Sequence, residues 1–148
     1  MAAVVAFVSQ KGGVGKSTLA RALAREAAAG GLRVKVADLD TQQGTSVDWH
    51  RQRLQAGIEP AVSVEAFATA AQALAVADGY DRLGMDGPAR TAQARAESAK
   101  AANLVVQASG ASLDDLRPAV REFHALVEAG IPADRLTFAL NRIGTAAE

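Results

Sequence analysis

Short apolar, β-branched runs alternate along the chain with longer stretches of helical periodicity. Val4 to Val8 opens as a strand, and residues 16 to 29 follow as a helix. In that helix Leu19, Leu23 and small alanines share one face, Arg21 and Arg25 lie on another, and Gly30-Gly31 is its stop signal. Arg33 to Leu39 predicts the second strand, Ser46 to Ala56 a helix, Ala61 to Val64 a short strand, and Ala66 to Ala77 an alanine-rich helix ended by Asp78-Gly79. Arg82 to Met85 predicts a strand interrupted by polar Arg82 and by Gly84. Ala92 to Ala102 predicts a helix, Leu104 to Gln107 a strand, Ser112 to Ala129 a helix with Pro118 inside it, and Leu136 to Leu140 the last strand. Strands this apolar, separated by helices, predict an α/β fold: a mostly parallel sheet flanked by helices.

Composition narrows this to one domain, residues 1–148, with a thin core. The chain has 35 alanines but only 38 larger apolar residues, so close helix packing is expected in place of a wide hydrophobic centre. Sixteen basic and sixteen acidic residues cancel, so no global field draws the molecule to DNA or to an acidic membrane. With no cysteine there is no disulfide, thiol nucleophile or iron–sulfur ligation. No apolar run approaches the roughly 20 residues of a membrane span, and the N-terminus lacks a basic leader, so a cytoplasmic protein is expected. Thr145 to Glu148 has the spacing of a capping box that opens a helix where the sequence stops.

The chemistry concentrates in Ser9-Gln10-Lys11-Gly12-Gly13-Val14-Gly15-Lys16-Ser17-Thr18, between the first strand and the first helix. Glycines at 12, 13 and 15 let backbone N–H groups wrap a phosphate, and the helix that starts there adds its positive end. Lys16 is placed to reach β- and γ-phosphates, the Ser17 hydroxyl to ligate Mg²⁺, and Thr18 to meet the α-phosphate. The variant Lys11-Gly12-Gly13-Val14-Gly15-Lys16-Ser17 resembles the deviant Walker A motif of the ParA/MinD family of P-loop ATPases. Gln10 stands where the common P-loop has glycine. The resemblance implies that Lys11 reaches across a dimer interface to the nucleotide of the other subunit.

Three further elements extend the resemblance. Asp38-Leu39-Asp40-Thr41-Gln42 is similar to the family's Asp-x-Asp-Pro-Gln element, with Thr41 in place of proline. It implies that Asp38 supports the Mg²⁺ hydration shell and that Asp40 orients the attacking water. Asp86-Gly87-Pro88-Ala89-Arg90 resembles the end of the Walker B strand, with Asp86 as an outer-shell Mg²⁺ partner. Asn141-Arg142 resembles the pair that ends the family's last common strand, and implies an Asn141 hydrogen bond to adenine with Arg142 packed near the base.

Within the family the pieces look most like small ParA/ParF-type plasmid partition ATPases. This implies an ATP- and Mg²⁺-dependent homodimer that hydrolyses slowly, a ParB-type stimulating partner, contact with non-specific DNA and none with membrane. The strand and helices that close relatives lie beyond the Asn-Arg pair, so the domain looks C-terminally truncated. Two alternatives stand beside this reading: a nucleotide-binding pseudo-ATPase switch with little hydrolysis, and an ATP-dependent ligase or kinase on the same P-loop class. Trp49, His50, Arg51 and Arg53 form a candidate patch on one helix, while Arg90, Arg95 and Lys100 read as a solvated charged face.

Overall fold

In the computed structural model, which describes residues 1–41, 43–88, 91–141 and 143–144, six parallel strands form one sheet. They are β1 (Ala3–Val8), β2 (Val34–Asp38), β3 (Ser63–Ala66), β4 (Arg82–Asp86), β5 (Leu104–Gly110) and β6 (Leu136–Asn141), in the order β3-β2-β4-β1-β5-β6. Five helices connect them: α1 (Lys16–Ala29), α2 (Thr45–Ala56), α3 (Ala70–Leu74), α4 (Ala92–Ala101) and α5 (Leu113–Glu128).

Two apolar layers cover the sheet. Ala24, Val34, Val36 and Val62 pack with Trp49 on the α1 and α2 face. Val4, Ala6, Val8, Leu83, Met85 and Val105 pack with Phe67, Ala73, Ala99 and Leu126 on the α3, α4 and α5 face. Nearly half of the buried apolar residues described are alanines, as the composition predicts. In α1 it is Ala20 and Ala24, not Leu23, that are buried. Small side chains let the helix axis approach the strands, and Leu23 is left half exposed.

The order of elements matches the sequence reading, while three elements shift: β3 runs Ser63–Ala66 instead of Ala61 to Val64, α3 is confined to Ala70–Leu74, and β5 extends past Gln107 to Gly110. Alanine content predicts a helix from Ala66, but Ala66 pairs with Asp38 as the last residue of β3, and the Thr69 hydroxyl then caps a helix of only five residues. Ladder hydrogen bonding overrides propensity there. The interruptions in β4 are also accommodated. Arg82 sits at the exposed start of the strand, its guanidinium donating to the Asp81 carbonyl, so no charge is buried. Gly84 faces α1 and helps to line an apolar cavity of about 190 Å³ with Val5, Phe7, Ala20 and Ala24.

Arg95 is a correction. It is 5% exposed, not solvated, and its Nε donates to Glu122 Oε1 at 2.7 Å, joining α4 to α5. Arg90 and the Thr145 to Glu148 pattern lie outside the described residues. Among the described residues no helix is long and apolar enough to cross a membrane.

Candidate functional site

The site grows from the carboxyl ends of β1, β2 and β4, where ligands bind in parallel α/β sheets. The loop from Ser9 to Gly15 leaves β1 and ends on Gly15, the N-cap of α1, at φ +91°. Gly13 also has positive φ, at +76°. Among the described residues, chain neighbours aside, no atom lies within 4 Å of where a Cβ on Gly12 or Gly13 would sit, so both glycines face free space. The first turn of α1 has neither a capping side chain nor an acidic residue. Its N–H groups and positive dipole end are therefore presented to an anion.

Register then builds the polar centre. Asp38 and Asp86 are paired positions on adjacent strands β2 and β4, so both project to the α1 and α2 face. Asp86 is 1% exposed and fully engaged. Its Oδ1 accepts from Lys16 Nζ at 2.7 Å and from Ser17 Oγ at 3.0 Å, and its Oδ2 accepts from Ser46 Oγ at 2.6 Å. Lys16 is itself buried, so this is a desolvated charge pair at the first turn of α1.

Asp38 accepts from the backbone N–H of Ser46 and of Val47, each at 3.2 Å, and from that of Asp40 at 3.1 Å. It thus serves the first turn of α2, whose N-cap, Gly44, offers no side chain. Burial pushes the Asp38 carboxyl above its ordinary pKa, the adjacent Asp86 adds to the rise, and the three N–H donors oppose it. Asp40, partly exposed, lies beside Gly87: a Cβ on Gly87 would stand 3.5 Å from both Asp40 N and Lys16 Nζ. Those are ordinary van der Waals distances; it is the backbone, at φ +96°, that calls for glycine at this turn.

The remaining predicted residues lie around this centre. Thr18 is exposed on α1 at the edge of a groove shared with Arg21, Arg25 and Trp49. Val14 is buried, and its carbonyl accepts from Asn141 Nδ2 at 2.7 Å, which brings the end of β6 to the loop. Lys11 is paired with Asp115 on α5 of the same chain, its carbonyl accepting from the Ser9 hydroxyl. Arg142 and Gln42 lie outside the described residues. Trp49 is held between Arg21 and Arg53, 5.9 and 4.9 Å from its ring centroid, and Arg53 also donates to the Pro60 carbonyl. That cluster packs α2 against α1 and the following loop.

Sequence reasoning missed Ser46, Asp115 and Glu122. Serine at a helix start reads as a cap, and only the β2–β4 register puts Ser46 beside Asp86. The donor set is all oxygen around one hydroxyl, with no cluster of three or more His, Cys, Asp or Glu able to hold a metal among the described residues. It fits a magnesium ion that takes few protein ligands and completes its shell with phosphate and water.

Comparison with solved structures finds this architecture in several proteins. A plasmid partition protein from Borrelia burgdorferi superposes with TM-score 0.67 at 16% identity, covering 94% of this chain and 77% of that one. The septum site-determining protein MinD of Pyrococcus horikoshii, complexed with Mg-ADP, gives TM-score 0.68 at 21% identity, covering 97% and 72%. Cobyrinic acid a,c-diamide synthase of Mycobacterium smegmatis, with bound ADP and magnesium, gives 0.69 at 22%, covering 93% and 72%. Curated protein sequences contain no match. Residues 5–147 match the model of the CobQ/CobB/MinD/ParA nucleotide binding domain, nearly the whole chain, from the first strand through the Asn141-Arg142 pair. With its parallel sheet, glycine loop and buried Lys16–Asp86 pair, the chain belongs to this family, that of ParA and MinD.

Proposed function

We propose that the chain is an ATP-dependent dimerisation switch of the partition type. ATP with magnesium is held at the loop from Lys11 to Thr18, two loaded copies associate, and slow hydrolysis separates them. The observation that supports this most is the convergence of Lys16, Ser17 and Asp86 beneath an uncapped helix start. Lys16 is poised to exchange Asp86 for phosphate oxygens, because its ammonium already lies at the first turn where an anion would be bound. Backbone N–H groups from Gly12 to Lys16 cradle the phosphates, and Thr18 reaches the α-phosphate. Ser17 supplies the protein oxygen for magnesium, with Asp38 and Asp86 behind it. Magnesium, when bound, neutralises phosphate charge and orients the terminal group. Asp40 holds the attacking water. Asn141 and Arg142 receive the adenine.

Lys11, half exposed, leaves Asp115 and contacts the nucleotide of the second copy, so that dimer and nucleotide stabilise one another. A ParB-type protein that accelerates turnover, non-specific DNA as the track and a cytoplasmic setting complete the reading. Of the four lysines two, Lys16 and Lys35, are buried, so few are left to neutralise phosphates and DNA contact would be weak, with a shallow salt dependence.

The test is equilibrium binding of ATP with magnesium, joined to size-exclusion chromatography and an ATPase assay. Wild type is expected to bind and to dimerise with ATP, Lys16→Ala to lose binding, and Lys11→Ala to bind yet remain monomeric. Absence of ATP binding by wild type overturns the proposal. Binding with equal background turnover in wild type and Asp40→Ala would replace it with a binding-only switch.

A further inference from the structure

The geometry points to Ser46 as the positioning residue that sets the Asp86 carboxylate, and through it the magnesium dependence of nucleotide binding. The inference rests on the nucleotide reading above. Among the described residues three side-chain donors hold Asp86, and two of them, Lys16 and Ser17, are the groups which that reading turns toward phosphate and metal. Ser46 is the third. Its hydroxyl donates to Oδ2 at 2.6 Å, in the range of a charge-assisted bond, and the residue is 0% exposed.

The aspartate terminal torsion is broad, so a carboxylate is oriented by its partners and not by rotamer preference. With Oδ2 fixed by Ser46, Oδ1 stays directed at Ser17 when Lys16 departs. Without that bond a buried anion would lose a second donor as Lys16 leaves, and would turn to find another. Ser46 is held in its turn. Its N–H, with that of Val47, donates to Asp38 Oδ2, so one helix start joins the two carboxylates. Partners of this kind around a metal site are worth roughly 10- to 100-fold in metal affinity.

The experiment compares Ser46→Thr with Ser46→Val, which have the same shape and differ by the hydroxyl. Binding of a fluorescent N-methylanthraniloyl ADP is titrated in EDTA and then against MgCl₂, with circular dichroism and melting temperature as folding controls. Equal binding of both variants in EDTA is expected. A wild-type magnesium half-saturation is expected for Ser46→Thr, and one at least about tenfold higher for Ser46→Val. If the added methyl unfolds both, Ser46→Ala against wild type makes the same comparison. A folded Ser46→Val or Ser46→Ala with unchanged half-saturation overturns the assignment, as does equal weakening with and without magnesium. Wild type that fails to bind the nucleotide at all overturns the functional reading and this inference together; wild type that binds normally beside an indistinguishable variant removes Ser46 alone.

Discussion

The side-chain amide of Asn141 donates to the Val14 carbonyl at 2.7 Å, fastening the end of β6 to the loop that precedes α1. Gly15 makes the contact sterically accessible. A Cβ there would stand 2.7 Å from Asn141 Nδ2 and 3.0 Å from its Cγ, on backbone at φ +91°. Gly15→Ala therefore meets both a clash and left-handed strain, and is expected to lower stability by about 1–3 kcal/mol. Adding Asn141→Ala should return only the steric part. Urea denaturation of the two single variants and the double variant separates the terms; full recovery in the double would show that backbone strain contributes nothing.

The Arg95–Glu122 pair is almost wholly buried. Glu122→Ala leaves a cation without its carboxylate in that interior, which costs about 3–5 kcal/mol. Against ordinary domain stabilities of about 5–15 kcal/mol this is a large fraction of the total. Arg95→Leu with Glu122→Leu removes both charges and should recover most of the loss. A Glu122→Ala variant within about 0.5 kcal/mol of wild type in thermal denaturation would falsify this account of the α4–α5 junction.

Asp38 gives a pH dependence of defined sign. Its folded pKa is raised above the unfolded value, so between the two the folded state binds more protons. The Asp38 contribution is therefore most favourable below the unfolded pKa and is lost as pH rises through the folded one. In chelator, the stability of wild type relative to Asp38→Ala should increase as the medium is acidified from neutrality toward pH 4. A relative stability that is flat or falls on acidification contradicts it.

Gly110 lies against Asp115, the residue that pairs with Lys11. A Cβ on Gly110 would stand 2.0 Å from Asp115 Oδ2, so alanine must displace the carboxylate that pairs with Lys11. The pair is partly exposed, and its loss should change stability by less than about 1 kcal/mol. The readout is chemical: acylation of Lys11 by an amine-reactive reagent, followed by mass spectrometry, should be severalfold faster in Gly110→Ala and Asp115→Ala than in wild type. Equal labelling would show that Asp115 does not restrain the lysine.

Gly84 offers a gain. Its missing side chain would project into the cavity under α1, and the nearest atom a Cβ would meet is Phe7 Cε2 at 3.8 Å. Gly84→Ala should stabilise the chain by about 0.5–1 kcal/mol, through a less flexible unfolded state and better filling of the void. Denaturant midpoints decide the sign.

The fold and much of the site could be read from residue pattern because strand, turn and helix each carry local marks. Lys16 and Ser17 are singled out as candidates by the glycine spacing, and Asp86 by the resemblance of its Asp-Gly-Pro turn to the family's. What escaped depends on register and on distant partners. Ser46 matters only because β2 and β4 align Asp38 with Asp86. Arg95 looks solvated because α4 is alanine-rich and carries no distinct apolar face, and its counter-charge arrives 27 residues later on α5. The β3–α3 boundary was misplaced for a related reason: alanines announce helix, while Ala66 is claimed by Asp38 across the sheet.

The strand order has a consequence for how the site comes into being as the chain is synthesised. β1 is made first but pairs only with β4 and β5, and β2 with β3 and β4. A nascent chain that has emerged through α2 thus carries the glycine loop on a strand with no neighbour in its sheet. β4 is inserted between the two earlier strands, and the same segment ends in Asp86. The joining of β1 to β2 and the arrival of the carboxylate that grips Lys16 are then a single event.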